Sequence, residues 1–189
     1  MAVRLPGRLP IVTVEVSRPI WRVHATGFGA IWYGRKADKR FDDPAAGFGV
    51  LYLGESPSVA VLETLVRGSD RCIVDQREWD LRSVSRVYLA EELRLMQFEG
   101  SALRRFGVGA DRAHAGVYTE CQELSATLHA RHPDVDGIQF RSRWDTSKLC
   151  WAVFERAAHK IKGVGPPLPL NASRIGDRVL DECEIRLIG

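Results

Sequence analysis

The sequence predicts an α+β fold, with flanking helices around a strongly bent or split β-sheet. Apolar runs of strand length outnumber helical stripes, they follow one another in an irregular order rather than in β-α-β alternation, and no internal repeat is present. A chain of 189 residues falls in the range of one domain, expected here over 1–189. Hydrophobic residues at 45% and charged residues at 27% give the balance of a soluble globular protein, which excludes a disordered or fibrous one.

The first strand is read at 18–24 (RPIWRVH), where Ile20, Arg22 and His24 share one face and Trp21 and Val23 the other. Residues 26–47 are rich in glycine and charge and lack periodicity, so they read as a long loop of the kind that often carries function. A strand follows at 48–53 (FGVLYL), with Tyr52 opposite in direction to Leu51 and Leu53. Ser56 and Pro57 open a helix whose apolar stripe is Val59, Leu62 and Val66, and Gly68 is placed to end it.

After a polar stretch through Trp79, residues 85–90 and 93–98 read as two strands or one broken strand. The longest helix is expected over 116–131, carrying Val117, Cys121, Leu124 and Leu128, and stopped by His132-Pro133. Strands are expected at 136–143, with Ile138, Phe140 and Ser142 on one face, and at 149–154, an apolar run of buried-strand length beyond a turn at Asp145. A connection rich in proline and glycine at 163–169 and a closing strand at 182–188 form a C-terminal extension over 163–189.

No apolar run approaches a membrane span and the first residues lack a signal-peptide pattern, so a cytoplasmic protein is expected. Cys72, Cys121, Cys150 and Cys183 are far apart in sequence and suggest neither a zinc clip nor a disulfide framework; buried thiols are the expectation. The net charge of +3 is spread along the chain, without the basic cluster of a nucleic-acid binder.

Glu63 is the most informative single residue, because it follows Val59 by four and precedes Val66 by three and so lies beside the apolar stripe. It either escapes to water at the rim or meets a cation, a donor or a ligand. Arg22 and Arg40 have the planar fork suited to phosphate, while a salt bridge to Asp42, Asp43 or some distant acid is the ordinary alternative. Tyr52 is a core aromatic or a stacking platform. Ser142 is a polar strand residue outside any G-x-S-x-G elbow, and therefore not an activated nucleophile. His129 and His132 lack a third ligand of convincing spacing, so no metal site is expected. The glycines at 47–54 do not form G-x-G-x-x-G, and a bound dinucleotide would have to be held by side chains such as arginine.

Taken in order, WRVH with Arg22, RFD beginning at Arg40, GVLYLGES with Tyr52, VLETL with Glu63 and GIQFRSR with Ser142 resemble the RES family over roughly 19–155. The resemblance implies an ADP-ribosyltransferase-like fold and the toxin of a toxin–antitoxin pair, neutralised by an Xre-type helix-turn-helix antitoxin. It implies an enzyme that degrades NAD at the nicotinamide–ribose bond, by hydrolysis or phosphorolysis, with ADP-ribosyl transfer to a protein as an alternative. It also implies that Arg22, Arg40, Tyr52 and, more weakly, His24 bind NAD, with Glu63, Ser142 and Arg40 in catalysis. NAD enters as substrate, no separate cofactor is expected, and nucleic acid is met only through the antitoxin. A non-catalytic module binding nucleic acid or a partner is the reading of another class.

Overall fold

The computed structural model describes residues 4–66, 72–107 and 118–189. Eleven strands are present among them: β1 (Ile11–Val14), β2 (Ile20–Ala25), β3 (Val50–Gly54), β4 (Ile73–Asp75), β5 (Arg82–Leu89), β6 (Leu93–Phe98), β7 (Gly137–Arg141), β8 (Leu149–Phe154), β9 (Ile161–Val164), β10 (Leu168–Pro169) and β11 (Arg186–Ile188). The α-helices are α1 (Pro57–Leu65), α2 (Gln76–Asp80), α3 (Thr119–Arg131) and α4 (Arg174–Glu182), and short 3-10 helices lie at Gly100–Phe106, Glu155–Lys160 and Leu170–Ala172. Nine strands form one mixed sheet in the order β1-β6-β7-β8-β3-β2-β5-β10, with β9 also on β5, while β4 and β11 pair in parallel beside it. This is the α+β class expected from the sequence.

The sheet is curled, and its two faces bury different cores. Ile20, Leu51, Leu53, Val87, Leu93, Leu95, Trp151 and Val153 pack together on one face. The other face is covered in two parts. Phe140, Cys150, Ala152 and Phe154 meet Cys121, Leu124 and Leu128 of α3, as its helical spacing predicts. Val23 meets Val61, Leu62 and Leu65 of α1 together with Val179 and Ile185 of the C-terminal segment. Between these two covered areas lies the stretch of sheet around Tyr52 and Gly54.

The sheet is also split. β2 and β3 share a single paired position, Trp21 with Gly54, and further along the edge of β3 it is Gly34 of the long loop that bridges to Val50. The expected loop at 26–47 is thus correct except for this one bridge, which ties it to the sheet.

Several boundaries differ from the sequence reading. Residues 82–89 and 93–98 are two strands that do not pair with each other, and lie in opposite halves of the sheet. The polar stretch before Trp79 contains β4 and α2, whose N-cap Asp75 accepts hydrogen bonds from the N–H groups of Arg77 and Glu78. The Pro/Gly-rich connection supplies β9 and β10 to the free edge of β5. The closing strand is shorter than expected because residues up to Glu182 belong to α4, capped by Ser173. Helix α1 begins at Ser56 as expected, the hydroxyl accepting from the N–H of Val59. Gly68, Gly116 and Val117 lie outside the described residues. Cys72 and Cys183 are only half-buried, in contrast to Cys121 and Cys150.

Gly54 sets how closely α1 approaches the sheet. A Cβ there would stand 2.8 Å from Val59 Cγ1 and 3.0 Å from the backbone nitrogen of Ala60. Gly54→Ala is expected to push α1 outward at a cost of about 1–3 kcal/mol, the range of overpacking in a filled core. A denaturant midpoint equal to that of the parent protein would show that α1 does not rest on this contact.

Candidate functional site

Glu63 does not escape to water. It leaves α1 toward the β7–β8 turn, where its Oε1 accepts a 2.6 Å hydrogen bond from the Ser142 hydroxyl and a 3.1 Å bond from the N–H of Arg143. Its second oxygen, Oε2, has no hydrogen-bond partner among the described residues. The carboxylate is half-buried, with one oxygen fixed and one available.

Ser142 is fully buried, and its hydroxyl has a defined polarity. Its oxygen accepts from the N–H groups of Trp144 at 3.1 Å and Asp145 at 3.3 Å. With its lone pairs engaged there, the proton goes to Glu63. In this arrangement Ser142 holds one oxygen of Glu63 against the turn. The turn that holds it is tied down by Asp145 Oδ1, which accepts from both the N–H and the hydroxyl of Ser147. Arg141 reaches across the same turn to the carbonyls of Thr146 and Ser147 while pairing with Glu99.

Arg40 has no carboxylate partner among the described residues. Asp42 is engaged by the Tyr52 hydroxyl and the N–H of Lys39, and Asp43 by the N–H groups of Ala45 and Gly47. The expected salt bridge of Arg40 to either acid is thus absent. Its guanidinium carbon instead lies over the rings of Phe41, Phe140 and Phe98, at 4.9, 5.3 and 5.8 Å from their centroids. Arg40 Nε is buried without a hydrogen-bond partner. A cation on an aromatic floor with unused donors is suited to an anionic ligand.

Cys150 links Arg40 to the acid. Burial pushes its thiol well above the usual range, Glu63 and Glu55 push it further, and Arg40 works against them. The register sets Cys150 opposite both Phe140 and Gly54. Arg40, Glu63 and Ser142 therefore border one region of the sheet.

Tyr52 borders it as well, but with its hydroxyl committed: it accepts from the N–H of Phe41 at 2.8 Å and donates to Asp42 Oδ1 at 3.0 Å. Burial and the neighbouring Asp42 hold that hydroxyl well above its ordinary pKa. Burial also raises the Asp42 carboxyl, with its bonds to Lys39 and Tyr52 opposing. The tyrosine acts by bonding the RFD segment to β3.

Arg22 lies in the split between β2 and β3. It donates to the carbonyls of Tyr52 at 3.0 Å and Trp32 at 3.3 Å, and its Nε is buried without a partner. Burial lowers its pKa to about 10, so it keeps its charge at neutral pH. Among the described residues no hydrogen bond joins Arg22 to Arg40, Glu63 or Ser142; its connection to them is the backbone of Tyr52. His24 is buried one step along β2, with Nδ1 donating to the Ala25 carbonyl and Nε2 at 3.0 Å from the Ser85 hydroxyl, toward β5. It does not join Glu63. His129 stacks on Phe48, and no cluster of His, Cys, Asp or Glu among the described residues is suited to a metal ion.

The sequence reading missed the aromatic floor, the place of Cys150 opposite Phe140 and Gly54, and the N–H groups at 143–145. The adjacency of Arg40 to Phe41 was a visible signal for the floor. The N–H groups follow from the turn geometry and have no side-chain signature.

A family model described as the RES domain matches residues 19–173. A chain from the crystal structure of the M. tuberculosis MbcT–MbcA toxin–antitoxin complex is similar in fold, with a TM-score of 0.62 over 82% of this chain and 86% of that chain, at 14% sequence identity. No curated protein matches the chain.

Ser142→Ala would strip the N–H groups of Trp144 and Asp145 of their acceptor and leave Glu63 with one donor. The expected loss is about 1–3 kcal/mol of folding stability, the cost of leaving buried groups unpaired. Unchanged thermal unfolding would contradict the polarity assigned to this hydroxyl.

Proposed function

The chain belongs to the RES domain family, and on that footing we propose that it is the toxin of a toxin–antitoxin pair and degrades NAD by breaking the bond between nicotinamide and ribose. The observation that carries this reading is the half-bound carboxylate of Glu63, with Oε1 held by Ser142 and Arg143 and Oε2 left for a ligand.

Departure of nicotinamide leaves positive charge on the ribose, as in glycoside cleavage. Glu63 stabilises that charge electrostatically through Oε2, or accepts a hydrogen bond from a ribose hydroxyl. Fixing Oε1 beforehand means that the carboxylate does not reorganise as the charge develops. Arg40 grips the pyrophosphate with the donors left free above its phenylalanine floor. Tyr52 and Arg22 build the wall, and the unpaired Nε–H of Arg22 is a further donor toward phosphate. The ribosyl carbon then receives water, giving ADP-ribose and a proton, or phosphate, giving phosphorylated ADP-ribose.

The partner proposed for this toxin is an Xre-type helix-turn-helix antitoxin, and the cytoplasm is the expected place of action. The similarity in fold to a chain of a toxin–antitoxin complex supports the pairing. Co-purification with the product of an adjacent reading frame tests it.

Incubation of the purified chain with labelled NAD, with and without phosphate, distinguishes the outcomes. Free ADP-ribose means hydrolysis, its phosphorylated form means phosphorolysis, and label on protein means transfer. Absence of nicotinamide release under every condition rejects the proposal. Glu63→Gln keeps the shape and removes the charge, and is expected to slow nicotinamide release about 10²-fold or more. Near-normal turnover by this variant counts against the role. Arg40→Ala is expected to raise KM chiefly, and unchanged KM together with unchanged kcat would remove Arg40 from the site.

A further inference from the structure

The C-terminal segment beyond the matched residues returns to the body of the fold as a parallel strand. Arg186 pairs with Ile73 in the β4–β11 ladder, and the N–H of Arg186 donates to the carbonyl of Cys72 at 2.8 Å. That register sets Cys72 alongside Ile185, two residues from Cys183. Alternation along β4 turns Cys72 to the same side as the buried Val74, and Cys72 and Cys183 pack against one hydrophobic cluster. Both also line a single cavity of about 720 Å³ between α1 and α4.

The chain's other two cysteines are buried, whereas these two are half-exposed. They interact electrostatically: burial raises the Cys183 thiol, and Cys72 is among the neighbours that raise it further, while the Ser58 hydroxyl opposes the shift. Two thiols distant in sequence thus line the wall of one open cavity.

We infer that Cys72 and Cys183 form a disulfide site, a covalent staple between the C-terminal segment and the segment that follows α1. The oxidant is a small-molecule disulfide such as oxidised glutathione. The Cys72 thiolate attacks one glutathione sulfur and expels the other glutathione as its thiolate, giving a mixed disulfide. Cys183 then loses its proton to solvent and attacks the Cys72 sulfur, expelling the second glutathione. Two protein thiols become one disulfide, and one glutathione disulfide becomes two thiols. The product ties α4 and β11 to the far end of the polypeptide that carries Glu63. It closes a long loop, the case in which a cross-link restricts the unfolded chain most.

The test is to treat the purified full chain with oxidised glutathione and map its peptides without reduction. The expected result is one cross-linked Cys72–Cys183 peptide pair lacking two hydrogens, with Cys121 and Cys150 remaining free. Oxidised parent protein should unfold at a higher temperature than reduced protein, and neither Cys72→Ser nor Cys183→Ser should show that increase. Separate glutathione adducts on both thiols, pairing with another cysteine, or no reaction would each overturn the site. Peptide mapping of the parent protein decides the matter even if a variant fails to fold, and does not depend on cleavage of NAD.

Discussion

Residues 90–92 are too few to join β5 to β6 across a flat sheet. These strands stand five places apart in the strand order, which at ~4.8 Å per place would separate them by about 24 Å. The four peptide units from Leu89 to Leu93 reach about 15 Å when fully extended. The sheet must therefore curl until its two halves approach, and Leu89 and Leu93 are buried in the same cluster on the concave side. Curling leaves the outer face for the helices. Where the halves turn away from one another, β2 and β3 keep a single paired position.

That opening decides the state of Arg22. A strand edge exposed by the split leaves carbonyls without N–H partners, and the guanidinium fills the gap by donating to Tyr52 and Trp32. Arg40 stands differently, over aromatic rings with no hydrogen-bond acceptor among the described residues. Neither arginine has a carboxylate partner among the described residues, although burying a charge without a counterion is costly. An anion placed against either guanidinium would offset part of that cost. The proposed grip on pyrophosphate rests on these unpaired donors.

The sequence made some of this legible and not the rest, for identifiable reasons. Glu63 stood out because a carboxylate beside an apolar helical stripe needs a partner, and a hydroxyl and an N–H supply it. The alternation of Trp21 and Val23 against Ile20 and Arg22 was readable from a period of two. The alternative of a salt bridge from Arg40 to Asp42 or Asp43 is not met, because local proximity said nothing about their commitment to Tyr52 and to the turn at 45–47. His24 lies on the same strand as Arg22 but hydrogen-bonds toward β5, a pairing that only the strand order reveals. Helix α4 was hidden because its few apolar residues, Ile175, Val179 and Leu180, gain meaning only against α1.

The orientation of the acid is a tertiary property in the same sense. Glu63 is placed from below by Gly54, which lets α1 sit against β3, and from beside by the clusters that hold α1. Ser142 is placed by a turn whose own hydrogen bonds run from Asp145 to Ser147 and from Arg141 to the turn carbonyls. Two rigid supports therefore meet at one carboxylate oxygen, and each fixes a different degree of freedom: α1 sets its position, and the turn sets the direction of the donors facing it. The charge stabilisation proposed for Glu63 depends on dipoles that do not relax when the charge appears, and in that proposal supports of this kind contribute to the rate although none of them touches a substrate.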